Sequence, residues 1–360
     1  MVDIAKGIGI LLIVLGHNPH FARNFQPFAE LLAAFRLPFF FFISGTLFSV
    51  GKKTLSEVAV ERADAWLKPV AVVTLVAGFI GIMLGRSTIE ATVLSIVYAT
   101  GFTLMWPALW FLPHLWLLYV FSTWLLRTFK SIGERRWIAT LLVIAMISIN
   151  HLILQHFDGP MDNPACRNIS TFGTTLLSCG LPFSADLIFM TAGFFLMGYF
   201  MSAETKTFQI NGRLLLVALT LMSFFQWFFD ANVNLNYRRY DDLFICTAQA
   251  ICGIYIMLCL CKVLTRSSLA TAVLSYCGRA SLFILLFHTP ILGQINHTLP
   301  RFISSPALVG IAAFVLPILL SIIFWNICKR VGLLSLLLLP AKSVRATRPA
   351  GMDNSSPTAA

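Results

Sequence analysis

The chain has 360 residues, of which 58% are hydrophobic and 11% are charged, against roughly 25% charged residues in a typical soluble domain. Its mean hydropathy is +0.82, and a soluble fold this apolar could not cover its surface with polar side chains. Collagen, coiled coils, disordered chains and small disulfide-bonded scaffolds are excluded as well. The net charge of +11 does not indicate a nucleic-acid partner, because the cations lie between apolar segments. The composition predicts an all-α, polytopic integral membrane protein.

Ten apolar segments of the chain are long enough to cross a membrane, since a spanning helix needs about 20 mostly apolar residues. We expect about ten transmembrane helices, at residues 4–22, 29–50, 66–85, 109–127, 136–153, 182–201, 213–229, 242–264, 280–297 and 307–328. A further apolar segment, residues 88–106, runs up to Pro107 and is interpreted as an outer-surface or re-entrant segment. If residues 88–106 also crossed the membrane, the basic residues of the loops would no longer follow the inside–outside pattern described below.

The basic residues are distributed unevenly between the loops that join these segments. With a cytoplasmic N-terminus, 19 Lys and Arg side chains fall on the cytoplasmic side and 7 on the outer side. The positive-inside rule therefore predicts that the N- and C-termini are both cytoplasmic. We expect residues 1–330 to form one transmembrane domain and residues 331–360 a C-terminal segment with a disordered, polar cytoplasmic tail.

Six of the eight Cys residues lie in or next to the apolar segments, where Cys is commonly a small core residue. Cys166 and Cys179 share the large outer loop. Either a disulfide bond in an oxidising compartment or two unpaired thiols is compatible with the sequence. No spacing of Cys and His matches a zinc site, and no metal is predicted.

Titratable side chains within membrane spans are energetically expensive and therefore indicate function. Lys6 and His17 in the first span are eleven residues apart, close to three helical turns, which places them on one face about 16 Å apart. Asp3 is expected to pair with Lys6 at a spacing of three residues. The alternative is a Lys that extends to the inner boundary and a His at the outer interface.

Further candidates come from later spans. Arg36 precedes the apolar run of the second span by one residue and is expected to face His17 across the hairpin. Trp110 and His114 share a face at the start of the fourth span, although a lone His there is often only an interfacial residue. His288 lies about two turns into an apolar helix, with no charged neighbour in sequence.

Polar residues on the outer side are candidates for ligand contact. Asp186 lies near the outer end of the sixth span, and the loop 230–242 is unusually polar. Its side chains Asn236, Tyr237 and Asp241 could bind a hydroxylated ligand through amide, carboxylate and aromatic groups. A solvated turn is an equally good interpretation of this loop.

Five segments, taken in chain order, carry distinctive motifs. They are Asp3-x-x-Lys6-Gly-x-Gly-Ile-x-Leu-x-Val-x-Gly-His17, Phe35-Arg36-Leu-Pro-Phe-Phe-Phe-Phe-Ile-Ser-Gly45, Trp110-Phe-Leu, Gly193-Phe-Phe-Leu-Met-Gly198-Tyr and Ser281-Leu…His288. This ordered set resembles acyltransferase family 3, bacterial integral-membrane enzymes that O-acetylate surface sugars, and its fucose 4-O-acetylase-like branch in particular. The resemblance covers residues 3–328 and identifies residues 1–330 as a transmembrane acyltransferase domain.

The resemblance implies a multi-pass protein of the bacterial inner membrane. It would transfer an acetyl or other acyl group from acyl-CoA to a hydroxyl of a surface or exopolysaccharide sugar, or of its lipid-linked precursor. Acetyl-CoA is then a co-substrate, with no tightly bound cofactor. Membrane lipids and polysaccharide-assembly proteins are the other expected partners. A transporter or flippase for a glycan or lipid-linked sugar, and a nonenzymatic assembly partner, are the alternatives.

The same resemblance implies roles for the candidate residues. His17 would be the general base or a covalent acyl carrier, and the sequence leaves that choice open. Arg36, with His288 second, would stabilise the oxyanion. Lys6 and Asp3 are assigned to the acyl-CoA site, although the family commonly has Arg where this chain has Lys6. The residues assigned to acceptor contact are Trp110, His114, Asp186, Asn236, Tyr237 and Asp241.

Overall fold

The computed structural model describes residues 1–133, 135–159 and 162–341. Within that part the backbone is predominantly helical. The α-helices are α1 (Val2–His17), α2 (Pro19–Asn24), α3 (Gln26–Thr46), α4 (Leu55–Arg62), α5 (Lys68–Met83), α6 (Ile89–Tyr98), α7 (Phe111–Thr128), α8 (Arg136–Leu154), α9 (Thr175–Cys179), α10 (Ile188–Phe200), α11 (Ser202–Lys206), α12 (Gly212–Phe228), α13 (Leu243–Leu264), α14 (Ser268–Arg279), α15 (Ser281–Thr298), α16 (Pro306–Cys328) and α17 (Gly332–Leu338).

Shorter elements connect these helices. A π-helical turn at Ala63–Leu67 joins α4 to α5. The 3₁₀ turns are Pro107–Trp110, Lys130–Gly133, Pro164–Cys166, Pro182–Leu187, Leu235–Tyr237 and Leu299–Arg301. Two short strands, β1 (Val233–Asn234) and β2 (Arg239–Tyr240), pair antiparallel, with Val233 opposite Tyr240.

The described chain contains seven helical segments that are long and apolar enough to cross a membrane. They are Gln26–Thr46, Leu55–Met83, Pro107–Thr128, Arg136–Leu154, Thr175–Phe200, Leu243–Leu264 and Pro306–Cys328. The bent pair Ser268–Arg279 and Ser281–Arg301 would be an eighth. The protein is therefore a multi-pass helical membrane protein, and seven or eight of the ten predicted spans meet this criterion of length and composition.

Three predicted segments account for the difference. The first span appears as α1, which has 16 residues, and residues 213–229 appear as α12, with 17 residues. At about 1.5 Å per residue, these helices are shorter than the roughly 30 Å hydrocarbon core. The segment 280–297 is not an isolated straight span, because α15 follows α14 after a bend of 78°. Residues 88–106 contain α6, which at 10 residues is too short to cross.

Glycines allow α1 to cross α14 with the two backbones in contact. A methyl group at Gly7 would overlap the carbonyl of Leu274, and one at Gly278 would lie 2.7 Å from the carbonyl oxygen of Asp3. Such small-residue contacts are a common way to pack helices in membranes. Since α1 also packs against α3, α13 and α15, its two ends are held at fixed places inside the bundle.

A second close crossing joins α3 to α10. Methyl groups at Gly45 and Gly198 would overlap the carbonyls of Phe195 and Phe42, respectively. Phe39, Phe41, Phe42, Phe194 and Phe195 are at most 1% exposed. The phenylalanine run of α3 is therefore core packing around this crossing.

Polar contacts hold the C-terminal end of the described chain against the start of α5. Lys68 pairs with Asp64 at 2.6 Å and donates to the carbonyl of Leu339 at 2.7 Å, while Asp64 accepts from the backbone N–H of Ala341 at 2.7 Å. The predicted disordered tail, beyond Ala341, lies outside the described residues.

A disulfide bond joins Cys166 to Cys179, which decides between the two alternatives that the sequence allowed.

Candidate active site

A cavity of about 350 Å³ opens beside the C-terminal end of α1. We call it the His17 cavity. Its lining residues are Ile13, Gly16, His17, Arg36, Leu37, Pro107, Ala108, Trp110, Phe111, Asn234, Asn236, Tyr237, Leu285 and Thr289. Five of the predicted site residues, from four separate regions of the sequence, therefore meet in one place: His17, Arg36, Trp110, Asn236 and Tyr237.

The hydrogen bonds of His17 define which of its ring nitrogens carries a proton. His17 Nδ1 lies 2.8 Å from the carbonyl oxygen of Ile13 and 3.4 Å from His288 Nε2. Because a carbonyl oxygen only accepts, Nδ1 of the neutral ring is the donor and Nε2 is unprotonated. His17 is solvent-accessible, and its Nε2 has no hydrogen-bond partner among the described residues. That nitrogen is free to accept a proton from a ligand.

His288 lies behind His17 rather than in the cavity lining. It is 0% exposed, and its Nδ1 lies 2.8 Å from the carbonyl oxygen of Ile284. That contact assigns its proton to Nδ1 and leaves its Nε2 as an acceptor, 3.3 Å from the hydroxyl of Thr289 and 3.4 Å from His17 Nδ1. The predicted role of His288 as an oxyanion donor does not fit this geometry, since its acceptor nitrogen faces His17. It fits a residue that orients His17.

The guanidinium of Arg36 lies against Gly16, as a methyl group at that position would overlap Arg36 Nη1. Arg36 forms no side-chain hydrogen bond and no ion pair with any described residue. A partly buried cation without a counter-ion is costly in a fold. Its charge is available to a group that carries or develops negative charge in the cavity.

The polar loop 230–242 closes one side of the cavity with Asn234, Asn236 and Tyr237. Its position is fixed by Arg238, which is 5% exposed and has a left-handed backbone conformation with φ of 57°. Arg238 donates to the carbonyl of Asn236 at 2.9 Å and lies over the ring of Phe102, 4.6 Å from its centroid.

Asp186 is the partner of Arg238, not part of the cavity lining. The two side chains are fully buried and form paired hydrogen bonds of 2.9 and 3.1 Å. Arg238 was not predicted as a site residue, although an Asp at the end of a membrane span requires a cation from elsewhere in the chain. Asp241, another candidate for acceptor contact, pairs with the neighbouring Arg239 at 2.8 Å and does not line the cavity either.

The two candidates at the start of α7 have different surroundings. Trp110 lines the His17 cavity. His114 is 0% exposed, with Nδ1 3.0 Å from the carbonyl oxygen of Phe183 and Nε2 2.8 Å from the hydroxyl of Thr191. Both ring nitrogens are thus occupied by the protein, and His114 joins α7 to α10 instead of contacting the cavity.

A second cavity, of about 150 Å³, lies at the other end of α1, and we call it the Lys6 cavity. Phe111 and Leu285 line both cavities and separate them. Ser44 and Ser281, from the motif segments, and two residues that the sequence did not single out, Trp66 and Tyr119, complete the Lys6 cavity. Arg62 lies over the rings of Trp66 and Tyr119, at 5.3 and 4.9 Å from their centroids, and adds a cation to this end.

Asp3 does not line the Lys6 cavity and does not pair with Lys6. The expected ion pair between them is absent from the described residues, so that prediction is wrong. Asp3 instead lines a separate groove with Tyr276 and Arg279.

These features define a multi-pass membrane protein with a histidine and an unpaired arginine in a cavity between its helices. A family model described as an acyltransferase domain matches residues 2–326, and the chain belongs to acyltransferase family 3. No curated protein and no solved structure matches it. The matched region contains every residue that lines the two cavities. The protein is thus a membrane acyltransferase.

Proposed function

We propose that the protein is an O-acyltransferase that moves an acetyl or other acyl group from acyl-CoA to a sugar hydroxyl. The acceptor is a surface or exopolysaccharide sugar or its lipid-linked precursor. The observation that carries the proposal is the shared cavity in which the free Nε2 of His17 and the unpaired guanidinium of Arg36 lie beside Asn236 and Tyr237. An alcohol at neutral pH needs a base to become a nucleophile, and a thioester needs a donor for its oxyanion.

In the proposed reaction, His17 Nε2 accepts the proton of the acceptor hydroxyl as the hydroxyl oxygen bonds to the thioester carbonyl carbon. The carbonyl oxygen becomes an oxyanion, which Arg36 stabilises. When the tetrahedral intermediate collapses, the carbon–sulfur bond breaks and the CoA sulfur takes the proton back from His17. The Ile13 carbonyl, which accepts the Nδ1–H of His17, keeps the ring in the reactive tautomer, and the acceptor Nε2 of His288, 3.4 Å from the same nitrogen, helps to orient the ring and to stabilise the imidazolium.

The Lys6 cavity suits the acyl-CoA donor. Lys6 and Arg62 provide cations for phosphate groups, and a cavity of about 150 Å³ fits a slender acyl-pantetheine arm better than a nucleotide. We propose that this end faces the cytoplasm of a bacterial inner membrane, in accordance with the distribution of basic residues. The disulfide bond Cys166–Cys179, in the loop assigned to the opposite side, suits an oxidising compartment.

Acyl transfer can be tested with radiolabelled acetyl-CoA added to membranes that contain the protein. We expect alkali-labile label to appear in glycan, together with release of free CoA. Label that stays on the protein would indicate a covalent acyl-histidine intermediate instead of direct transfer. Movement of glycan across the membrane without consumption of acetyl-CoA would contradict the proposal and favour a transporter.

A further inference from the structure

A π-helical turn at Ala63–Leu67 interrupts the helical segment that runs from α4 into α5. Pro69 accounts for the turn, because proline has no N–H to donate and its ring would clash with the carbonyl of Ala65 in a regular α-helix. The backbone N–H of Lys68 donates instead to the carbonyl of Ala63, five residues back. Such wider turns are rare within α-helices and occur frequently at functional sites.

Side chains that alternate along this turn face two different parts of the protein. Arg62 and Trp66, four residues apart, lie on the side of the Lys6 cavity, which Trp66 lines. Asp64 and Lys68, also four residues apart, form an ion pair of 2.6 Å, and neither lines that cavity. Residues two apart are separated by roughly 200° around a helix axis. The ion pair therefore lies on the opposite face of the turn.

The outward ion pair holds the C-terminal end of the described chain. Lys68 Nζ donates to the carbonyl oxygen of Leu339 at 2.7 Å, and a carboxylate oxygen of Asp64 accepts from the backbone N–H of Ala341 at 2.7 Å. We call these four residues the C-terminal clip. The side chains of Lys68 and Asp64 are only 27% and 30% exposed, so their interactions are less weakened by solvent than those of a surface ion pair.

The inward pair forms part of the wall of the Lys6 cavity. The Arg62 guanidinium lies 5.3 Å from the ring centroid of Trp66 and 4.9 Å from that of Tyr119, and both rings line the cavity. If the π-helical turn relaxed to α-helical geometry, the register before it would change by one residue, a rotation of about 100°. Arg62 would then leave these rings, so the position of this cation depends on the turn.

We infer that the C-terminal clip positions the donor site. Through Asp64 and Lys68 the clip holds the π-helical turn, and the turn places Arg62 and Trp66 at the Lys6 cavity. The inference rests on the proposed function, which assigns acyl-CoA to that cavity. A clip that only fastened the end of the chain would contribute to stability and leave the affinity for the donor unchanged.

The test measures the affinity of the purified full-length protein in detergent for CoA, with no acyl group present. Ala341→Pro removes the N–H that Asp64 accepts and leaves the Asp64–Lys68 pair in place. We expect this variant to bind CoA about 2- to 30-fold more weakly, the usual size of coupling through a network of contacts. Ala341→Leu keeps the N–H and changes only an exposed side chain, and it should bind CoA as the wild type does.

Lysine variants test the other half of the clip. Lys68→Met removes the contacts with Asp64 and with the Leu339 carbonyl and should weaken CoA binding by a similar factor. Lys68→Arg retains a cationic donor and should recover most of the loss. The matched control is Lys206→Met, at an exposed lysine that lines neither cavity. In acyl transfer, the KM for acyl-CoA should rise by the same factor as the dissociation constant for CoA, with the KM for the acceptor unchanged.

The outcomes separate the inference from the proposed function. Wild-type affinity for CoA in both Ala341→Pro and Lys68→Met would overturn the inference and leave the proposed function in place. An equal rise in the KM values of donor and acceptor would overturn it too, since a general loss of structure has that effect. Because CoA binding requires no transfer, the expected affinities in a protein that transfers no acyl group would count against the proposed function alone.

Discussion

The guanidinium of Arg36 occupies the space that a side chain at Gly16 would fill. Since Gly16 directly precedes His17, the missing side chain brings a positive charge from α3 next to the histidine of α1. The phenyl rings packed around the α3–α10 crossing hold the backbone of α3 in place. The pairing of a free base and an unpaired cation therefore depends on a glycine as much as on the two functional residues.

Replacement of Gly16 by Ala should displace the Arg36 head group without disturbing α1, because Ala is a better helix former than Gly. We expect turnover to fall about 10²-fold, the usual cost of losing one oxyanion donor. The measurement is the rate of acyl transfer by purified protein. Gly293→Ala is the matched control, as nothing lies within 4 Å of a methyl group there. Wild-type turnover in Gly16→Ala would mean that Arg36 does not act at this position.

His288 should behave as a positioning residue for His17. His288→Leu leaves the Ile13 carbonyl as the one acceptor near the Nδ1–H of His17 among the described residues, and we expect kcat to fall about 10- to 100-fold with little change in the KM for either substrate. His288→Gln retains an acceptor and should recover part of that loss. If the Leu and Gln variants lose kcat equally, His288 contributes only to packing.

Two adjacent arginines should differ sharply in their effect on stability. Arg238→Ala leaves Asp186 as a buried charge without its partner, and we expect a loss of about 3–5 kcal/mol in the free energy of unfolding. Arg239→Ala breaks the partly exposed pair with Asp241 and should cost at most about 1 kcal/mol. Thermal unfolding of the purified variants compares them directly. Equal effects of the two substitutions would contradict the assignment of Arg238 as the anchor of the polar loop.

Lys6 should act on the donor only. Lys6→Ala removes one cation from the Lys6 cavity, and we expect the KM for acyl-CoA to rise about 10- to 100-fold while kcat stays nearly unchanged. Lys329, which lies over the ring of Trp325 at 3.6 Å, is outside this cavity, and Lys329→Ala should leave that KM alone. A fall in kcat at unchanged KM would move Lys6 from donor binding into the chemistry.

Local periodicity was sufficient to predict part of the site. The eleven-residue spacing of Lys6 and His17 predicts opposite ends of one helix face, and the structure gives each residue a cavity of its own. The convergence of Arg36 with His17 follows from two helices, α1 and α3, joined by a short connection that consists mainly of α2. Helix spacing and chain proximity carry this information, and both are readable from the sequence.

Long-range partners could not be predicted in the same way. Asp186 and His288 each stand out as polar groups in apolar surroundings, but their partners Arg238 and His17 are 52 and 271 positions away. Both were therefore predicted as site residues. The sequence could not show whether each one contacts a ligand or holds another residue in place. The bend of 78° between α14 and α15 was not predicted either.

The central claim is that His17 accepts the proton of the acceptor hydroxyl. The most direct measurement is the O-acyl content of surface glycan in host cells that lack the native gene and express the wild type, His17→Ala or the control His156→Ala, an exposed histidine, at matched membrane levels. We expect the wild type and His156→Ala to restore acylation and His17→Ala to reduce it about 10²-fold or more. Full restoration by His17→Ala would contradict the account.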